Sequence, residues 1–507
     1  VFFLFVFFAG IYLFALCLLA IYGINFLYLT WVAGRSRPIS PPRPLENYPH
    51  VTVQLPIYNE LFVVEKLIAT VVQLDYPEDK LHIQVLDDST DDTCRIAKDA
   101  VTQWQRRGKS ITYIHRDHRV GFKAGALAHG MKLSKSAFFA IFDADFQPQP
   151  DFLLRAMPYF YSIRHQDDTQ PKIGFVQGRW GHLNGKSSLL TTLQAFGIDG
   201  HFAIEQQARW NAGHIFNFNG TAGIWRRAAI EDAGGWSAET LTEDLDLSYR
   251  AALQGWKSVY VDTLEVPAEL PDQIAAFRRQ QRRWALGSFQ TAFKTVPRVL
   301  HAPLSLKHKI QACMHLTAYT IQIWMALVGV LYLPLLLIIN NASVPLEVFN
   351  ISWIFNLTAV APTLMFMVAQ WRRESAAKHF AEKTASVFMK MPHIFLLSVL
   401  GSGMMLNTVR AMFQLFLQKH FVFERTPKMG ASNQKLLTNK RIAHYHIGLD
   451  PIVFAEIIFA MWNGVSMFIA WQLGFWGVML YAGLFMIGLG AVAGSTLLQT
   501  RTTPRND

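Results

Sequence analysis

From Val1 to Trp31 the chain carries no acidic or basic residue, and about 20 consecutive apolar residues are enough for a helix to cross the hydrocarbon core of a bilayer. A spanning helix is therefore the first expectation. A secretory signal would begin with positive charge and end its shorter apolar core at a small-residue cleavage site, which this run does not do. Four further charge-poor runs, at 312–339, 351–369, 451–472 and 475–498, also read as spans, and Glu456 is the one charged residue in the last two. A carboxylate is expensive in lipid, so Glu456 is read as snorkelling toward the cytoplasmic interface, with the wall of a wet channel as the other placement. Charged residues make up only 16% of the chain, against roughly 25% in ordinary soluble domains.

Loop charge orients the spans, because cytoplasmic flanks collect Lys and Arg. Arg35, Arg37 and Arg43 follow the first run, which places the polar stretch 38–309 in the cytosol. The segment 340–350 has no basic residue and reads as an outside loop, whereas Arg372, Arg373, Lys378, Lys383 and Lys390 turn the next loop inward. Residues 391–417 are apolar enough to cross, yet Lys419, Arg425, Lys428, Lys435, Lys440 and Arg441 follow them. This segment is read as interfacial or re-entrant, with Arg410 at the headgroups and a cytosolic loop over 418–450, giving five net crossings. The expectation is an integral protein of a cell inner or plasma membrane, or of the Golgi in a eukaryote, with membrane lipid as a partner. The formal charge of +11 fits basic loops beside spans, so nucleic acid is not expected as a partner. Cys17, Cys94 and Cys313 offer neither a disulfide framework nor a CxxC metal site.

Between residues 45 and 266 the pattern changes to short β-rich runs alternating with helical periodicity, which predicts an α/β domain with a mainly parallel sheet. Strands are expected at 51–55, 82–86, 111–114 and 137–142, with helices at 62–74, 93–107 and 123–133. Ligands of such sheets bind beyond the carboxyl ends of the strands. The first expected strand runs into Tyr58 and Glu60, the second into Asp87 and Asp88, the fourth into Asp143 and Asp145. Carboxylates gathered on one edge repel unless a cation neutralises them, and Mg2+ or Mn2+ carrying a diphosphate does so. Asp and Ser are also ordinary turn and cap residues, which is the plainer reading of each acidic pair.

Lys123 opens a Gly-rich helix start suited to phosphate, or is simply a solvated lysine. Neither GxxxxGK[ST] nor GxGxxG after the first strand is present, which removes support for nucleotide hydrolysis and dinucleotide redox chemistry. Thr242, Glu243 and Asp244 stand where a helix begins, with Thr242 as its expected cap. Gln280, Arg283 and Trp284 lie in a segment, 267–310, that reads as interfacial helix.

In this order, Asp87-Asp88, Asp143-Ala144-Asp145, Thr242-Glu243-Asp244 and Gln280-x-x-Arg283-Trp284 resemble the D, DxD, TED and QxxRW set of membrane-embedded family-2 glycosyltransferases. The likeness is to the cellulose-synthase-like group, typified by plant mannan synthases and bacterial relatives. It implies a GT-A type domain with a Rossmann-like sheet, fused to a transmembrane helical bundle with interfacial helices. By that resemblance Tyr58, Glu60, Asp87, Asp88, Lys123, Asp143, Gln280 and Arg283 hold the nucleotide sugar, and Asp145 the metal. Asp244 is the general base, supported by Glu243 and Thr242. Trp284, Asn219, Gly220 and Thr221 face the growing polysaccharide acceptor, and Thr426 and Lys428 belong to a loop that gates the nucleotide. The implied activity is inverting, processive extension of a β-linked polysaccharide from UDP-glucose and its translocation. The alternatives are a GDP-mannose-dependent β-mannan or glucomannan synthase and a transferase that moves one sugar to a lipid carrier.

Overall fold

The computed structural model describes residues 2–36, 39–162, 172–341, 360–374, 378–417, 428 and 449–502. Seven strands, β1 (Val51–Ile57), β2 (Leu81–Asp87), β3 (Ile111–His115), β4 (Phe138–Ile141), β5 (Ile173–His182), β6 (Gly223–Arg226) and β7 (Lys257–Ala268), form one sheet in the order β3-β2-β1-β4-β6-β5-β7. β1 pairs in parallel with both β2 and β4, β2 with β3, and β5 with β7; β6 runs antiparallel to β4 and β5. The expected α/β class and mainly parallel sheet are what is found. β1 is buried along nearly its whole length, as a strand covered by helices on both faces must be.

Two glutamines inside this core close their polar groups on each other and on the helix Phe122–Lys132: Gln54 donates to Gln84 at 3.1 Å, and Gln84 to the Gly130 carbonyl at 3.0 Å. Gly130 is required there, since a Cβ would meet Gln54 Nε2 at 2.6 Å.

Five helical stretches are long and apolar enough to cross a membrane: Phe2–Arg35, Thr320–Asn340, Met391–Leu417, Ile452–Gln472 and Trp476–Gln499. The run 312–339 is not one helix. It breaks at Thr317 between helices Leu306–Leu316 and Thr320–Asn341, where Tyr22 Oη lies 2.7 Å from Thr317 Oγ1 and 3.2 Å from Thr320 Oγ1. Local hydroxyl bonds end the first helix more effectively than continued apolarity extends it. Of the run 351–369, residues 351–359 lie outside the described residues, and the rest belongs to the helix Ala361–Arg373. The segment 391–417 forms two helices, Met391–Gly403 and Met405–Leu417, the second lying along the helix Ile274–His301.

The expected setting of Glu456 is revised, and Arg410, expected at the headgroups, is found partly exposed and paired. Glu456 does not snorkel; it is fully buried and takes a fork of two bonds from Arg278, at 3.0 and 2.7 Å. Arg410 closes on Asp450 at 2.7 and 2.8 Å. A charge removed from water needs a partner more than it needs the interface.

Candidate active site

The carboxyl ends of β1, β2 and β4 open onto one crevice, lined among others by Tyr58, Glu60, Asp88, Lys123, Asp143, Asp145, Asn219, Gly220, Thr242, Glu243, Asp244, Gln280, Arg283, Trp284 and Lys428. Motifs spread from residue 58 to residue 428 are therefore brought together. Two predicted residues are not on its wall. Asp87, the last residue of β2, is fully buried and accepts from Tyr113 Oη at 2.7 Å and from the Ser89 amide at 2.9 Å. Its ligand atom lies within 4.8 Å of those of Cys94 and His115, away from Asp143 and Asp145. Strand alternation explains the split, because neighbours at a strand end point to opposite sides. Thr221 is likewise buried and accepts from the Asp143 amide at 2.9 Å, holding that strand end in place. Thr426 lies outside the described residues.

Backbone strain collects around the same crevice. The non-glycine residues with positive φ among the described ones are Asn59, Phe122 and Ala222, adjoining Tyr58 and Glu60, Lys123, and Thr221 respectively. Such conformations persist only where the surroundings fix them. Asn59 is fixed by a bond from its amide to Ser89 Oγ at 2.7 Å and by accepting from the Thr90 amide at 2.8 Å, which stitches the β1 and β2 loops together. Arg116 fastens the next loop: its guanidinium grips Asp88 at 2.7 and 2.5 Å and donates to the Phe122 carbonyl at 3.0 Å. Asp88 is thus clamped by a cation of the protein itself. Arg119 lies over the Tyr58 ring, 3.4 Å from its centroid.

Lys123 bonds Asp143 at 2.5 Å and the Gly220 carbonyl at 2.9 Å, with Glu243 at 3.8 Å. Gly220 has φ +77 and passes between two reacting-group candidates, since a Cβ there would sit 3.2 Å from Asp244 Oδ2 and 3.3 Å from Lys123 Nζ. Only glycine fits both the conformation and the gap.

The helix Glu243–Leu253 does start after Thr242, but the Thr242 side chain does not cap it. Thr242 Oγ1 pairs with Thr291 Oγ1 at 3.1 Å, on the helix Ile274–His301 that also carries Gln280, Arg283 and Trp284. Gly287 on that helix lets it press onto the turn, as a Cβ would meet Thr242 Cγ2 at 2.6 Å and the Thr242 backbone nitrogen at 2.8 Å. Gln290 accepts from the Leu241 amide at 2.8 Å, and Lys294 bridges to Glu239 and the buried Asp246 at 2.5 and 3.0 Å. Gly287, Gln290, Thr291 and Lys294 were not among the predicted residues; the i, i+3, i+4 and i+7 spacing after Gly287 is the signal that could have found them.

Crowding sets the electrostatics. Burial, with the Glu243 carboxylate beside it, pushes the Asp244 carboxyl up to about 7, against the pull of Lys123. Burial likewise raises Glu243 and Asp145 above the usual carboxylate range. Arg283 is drawn down by burial while Asp143, Glu243, Glu60 and Asp145 hold its charge. Lys428 pairs directly with Asp145, and Glu60 and Asp143 attract it as well. One ammonium thus stands where three carboxylates converge. A hard divalent cation suits that oxygen set, so the residues present fit Mg2+ or Mn2+. Trp284 and Trp180 close the far wall with centroids 6.2 Å apart.

Residues 49–287 match the family model described as glycosyltransferase like family 2. The chain is 44% identical over 260 residues to the probable glucomannan 4-beta-mannosyltransferase 15 of Arabidopsis thaliana, covering 50% of this chain and 47% of that one. It is 45% identical over 245 residues to glucomannan 4-beta-mannosyltransferase 7 of the same plant, covering 48% and 43%. The match thus spans less than half the length of these relatives. Among solved structures, a mannosyltransferase from Pyrobaculum calidifontis in complex with GDP-Man and Mn2+ superposes with a TM-score of 0.48 at 20% identity, over 82% of this chain and 99% of that one.

Proposed function

We propose, from the match of residues 49–287 to the family model described as glycosyltransferase like family 2, that the protein is an inverting, processive transferase that extends a β-linked mannan-type polysaccharide from GDP-mannose. The carrying observation is Asp244, a carboxyl on the crevice wall pushed up to about 7. A general base works best when its pKa lies near the working pH. UDP-glucose, the donor expected first, gives way to GDP-mannose because the plant relatives are named for mannosyl transfer.

Each residue then has a task. Asp244 takes the proton of the acceptor hydroxyl as that oxygen attacks the anomeric carbon from the face opposite the diphosphate. Lys123 holds the Asn219-Gly220 turn and Asp143 in register with it. Arg283 meets the charge that grows on the departing diphosphate, and its planar fork of donors suits two phosphate oxygens. Trp284 receives the apolar face of the acceptor sugar. Asp143, Asp145 and Glu60 would hold a divalent ion in the place Lys428 takes here, and such an ion supplies charge neutralisation to the diphosphate. The apolar helices anchor the domain in a membrane, with the crevice on the cytosolic side, and 391–417 returns to that side beside the helix Ile274–His301.

The test is product analysis with the purified full chain, given GDP-mannose or UDP-glucose with Mn2+ or Mg2+. We expect GDP release together with an acid-insoluble polymer that a β-mannanase degrades. Turnover of UDP-glucose alone would overturn the donor, and a single organic-extractable glycolipid as sole product would overturn processivity.

A further inference from the structure

The helix that follows β5 changes its winding in mid-course. Residues Leu189–Gly200 are α-helical, His201–Gln206 form a π-turn, and Gln207–Asn211 return to α. A π-turn widens the helix at a cost in hydrogen-bond geometry and is found mostly at functional sites. Three sides of this turn are accounted for by packing. Ala203, Ile204 and Ala208 join Leu29, Ala33, Met365 and Ala369 in one apolar cluster, and Phe202 enters the core of the sheet domain. The remaining face presents Ile198, His201 and Glu205, at i, i+3 and i+7.

That face adjoins the crevice through Ile198 and Asn219, which both line it. His201 Nε2 lies 3.0 Å from Asn219 Nδ2, and Gln206 donates to Asn219 Oδ1 at 2.5 Å. His201 Nδ1 is 3.8 Å from Glu205, with side chains 31% and 22% exposed, although Phe202, Ala203 and Ile204 between them are buried. Arg209 lies 3.9 Å behind Glu205, and against the effect of burial His201 first and Arg209 second draw its carboxyl below the usual range. A carboxylate that accepts, beside an imidazole anchored to Asn219 through Nε2 with Nδ1 turned toward Glu205, suits the hydroxyl rim of a pyranose whose flat face rests on an indole.

We propose that His201 and Glu205 bind the hydroxyls of the acceptor saccharide, in the unit next to the one that attacks, and that the π-turn exists to present them. They act on acceptor affinity and on the register of the chain, not on the reacting bond. The inference rests on the transferase reading above and names its acceptor subsite.

The experiment uses the purified full chain with short mannooligosaccharide acceptors and compares wild type with Glu205→Gln and His201→Ala. Release of GDP from GDP-mannose without acceptor is followed in parallel. For each variant the acceptor KM should rise about tenfold, with the donor KM and acceptor-free GDP release unchanged, because a site built to bond a hydroxyl loses affinity when that bond is removed. His201→Gln, which keeps a donor and an acceptor, should recover most of the affinity. An unchanged acceptor KM, or a rise in donor KM together with a fall in acceptor-free release that marks a purely structural role, overturns the assignment. A wild type that transfers no sugar from any nucleotide donor fails earlier and removes the transferase reading with it.

Discussion

Two charged regions share the helix Ile274–His301 and differ in how completely their charges are closed. At Arg278, buried in the bundle, both terminal nitrogens are answered, by a bidentate grip on Glu456 and a bond to Thr496 at 3.0 Å, while Asn407 donates to its backbone carbonyl at 3.0 Å and Nε is left without a partner among the described residues. Five positions later, at Arg283, Asp143, Glu243, Glu60 and Asp145 share the neighbourhood with Lys123 and Lys428, and burial raises Glu243 and Asp145 there. Residue types are the same in both places. Paired charge fixes the helix to the bundle, and on the proposed function the crowded charge at Arg283 is what a ligand bringing both phosphate and metal would meet.

The contrast can be broken at either end. The largest effect is expected in the bundle: Glu456→Ala strands Arg278 without its partner, which costs about 3–5 kcal/mol and should appear as loss of folded, detergent-extractable protein. Replacing both members with apolar residues should restore much of the yield, which a fluorescence size-exclusion profile would report. At the crevice, Arg283→Lys should leave the thermal midpoint nearly unchanged and lower kcat by about 10²-fold, since a point charge cannot reproduce the fork on a diphosphate. An equal loss of stability would mean that Arg283 belongs to the paired class after all.

Smaller again is Gly287→Ala, whose Cβ cannot fit against the Thr242 backbone nitrogen and side chain unless the helix and the turn move apart, and which should reduce kcat about tenfold with the donor KM little altered. The smallest effect concerns stability. Folding raises the Asp244 carboxyl from 3.8 to about 7, so the folded state holds that proton more tightly and loses stability as pH rises through this window. Asp244→Asn should therefore raise the thermal midpoint by about 1–3 °C at pH 8 and not at pH 4, measurable by differential scanning fluorimetry.

Much of the fold was legible because its signals are local. The β-rich runs at 51–55, 82–86 and 111–114 became β1, β2 and β3, and the DxD, TED and QxxRW residues met in one crevice as their shared strand and helix ends require. What was not legible depends on distance. Glu456 finds its partner 178 residues away, and no periodicity around it announces Arg278. Asp87 and Asp88 look alike in the chain, yet only the side of the strand they leave from separates a buried anchor from a crevice residue. The break at Thr317 is met by Tyr22 from another helix, and the π-turn at His201 carries no sequence marker.

The most direct measurement of the central claim is the pH dependence of sugar transfer by the full chain beside that of Asp244→Asn. If Asp244 is the base, kcat/KM of the wild type rises to a plateau through a pKa near 7, and the variant loses about 10²–10⁴-fold together with that limb. Transfer by Asp244→Asn at the wild-type rate, with the same pH limb, would contradict the account.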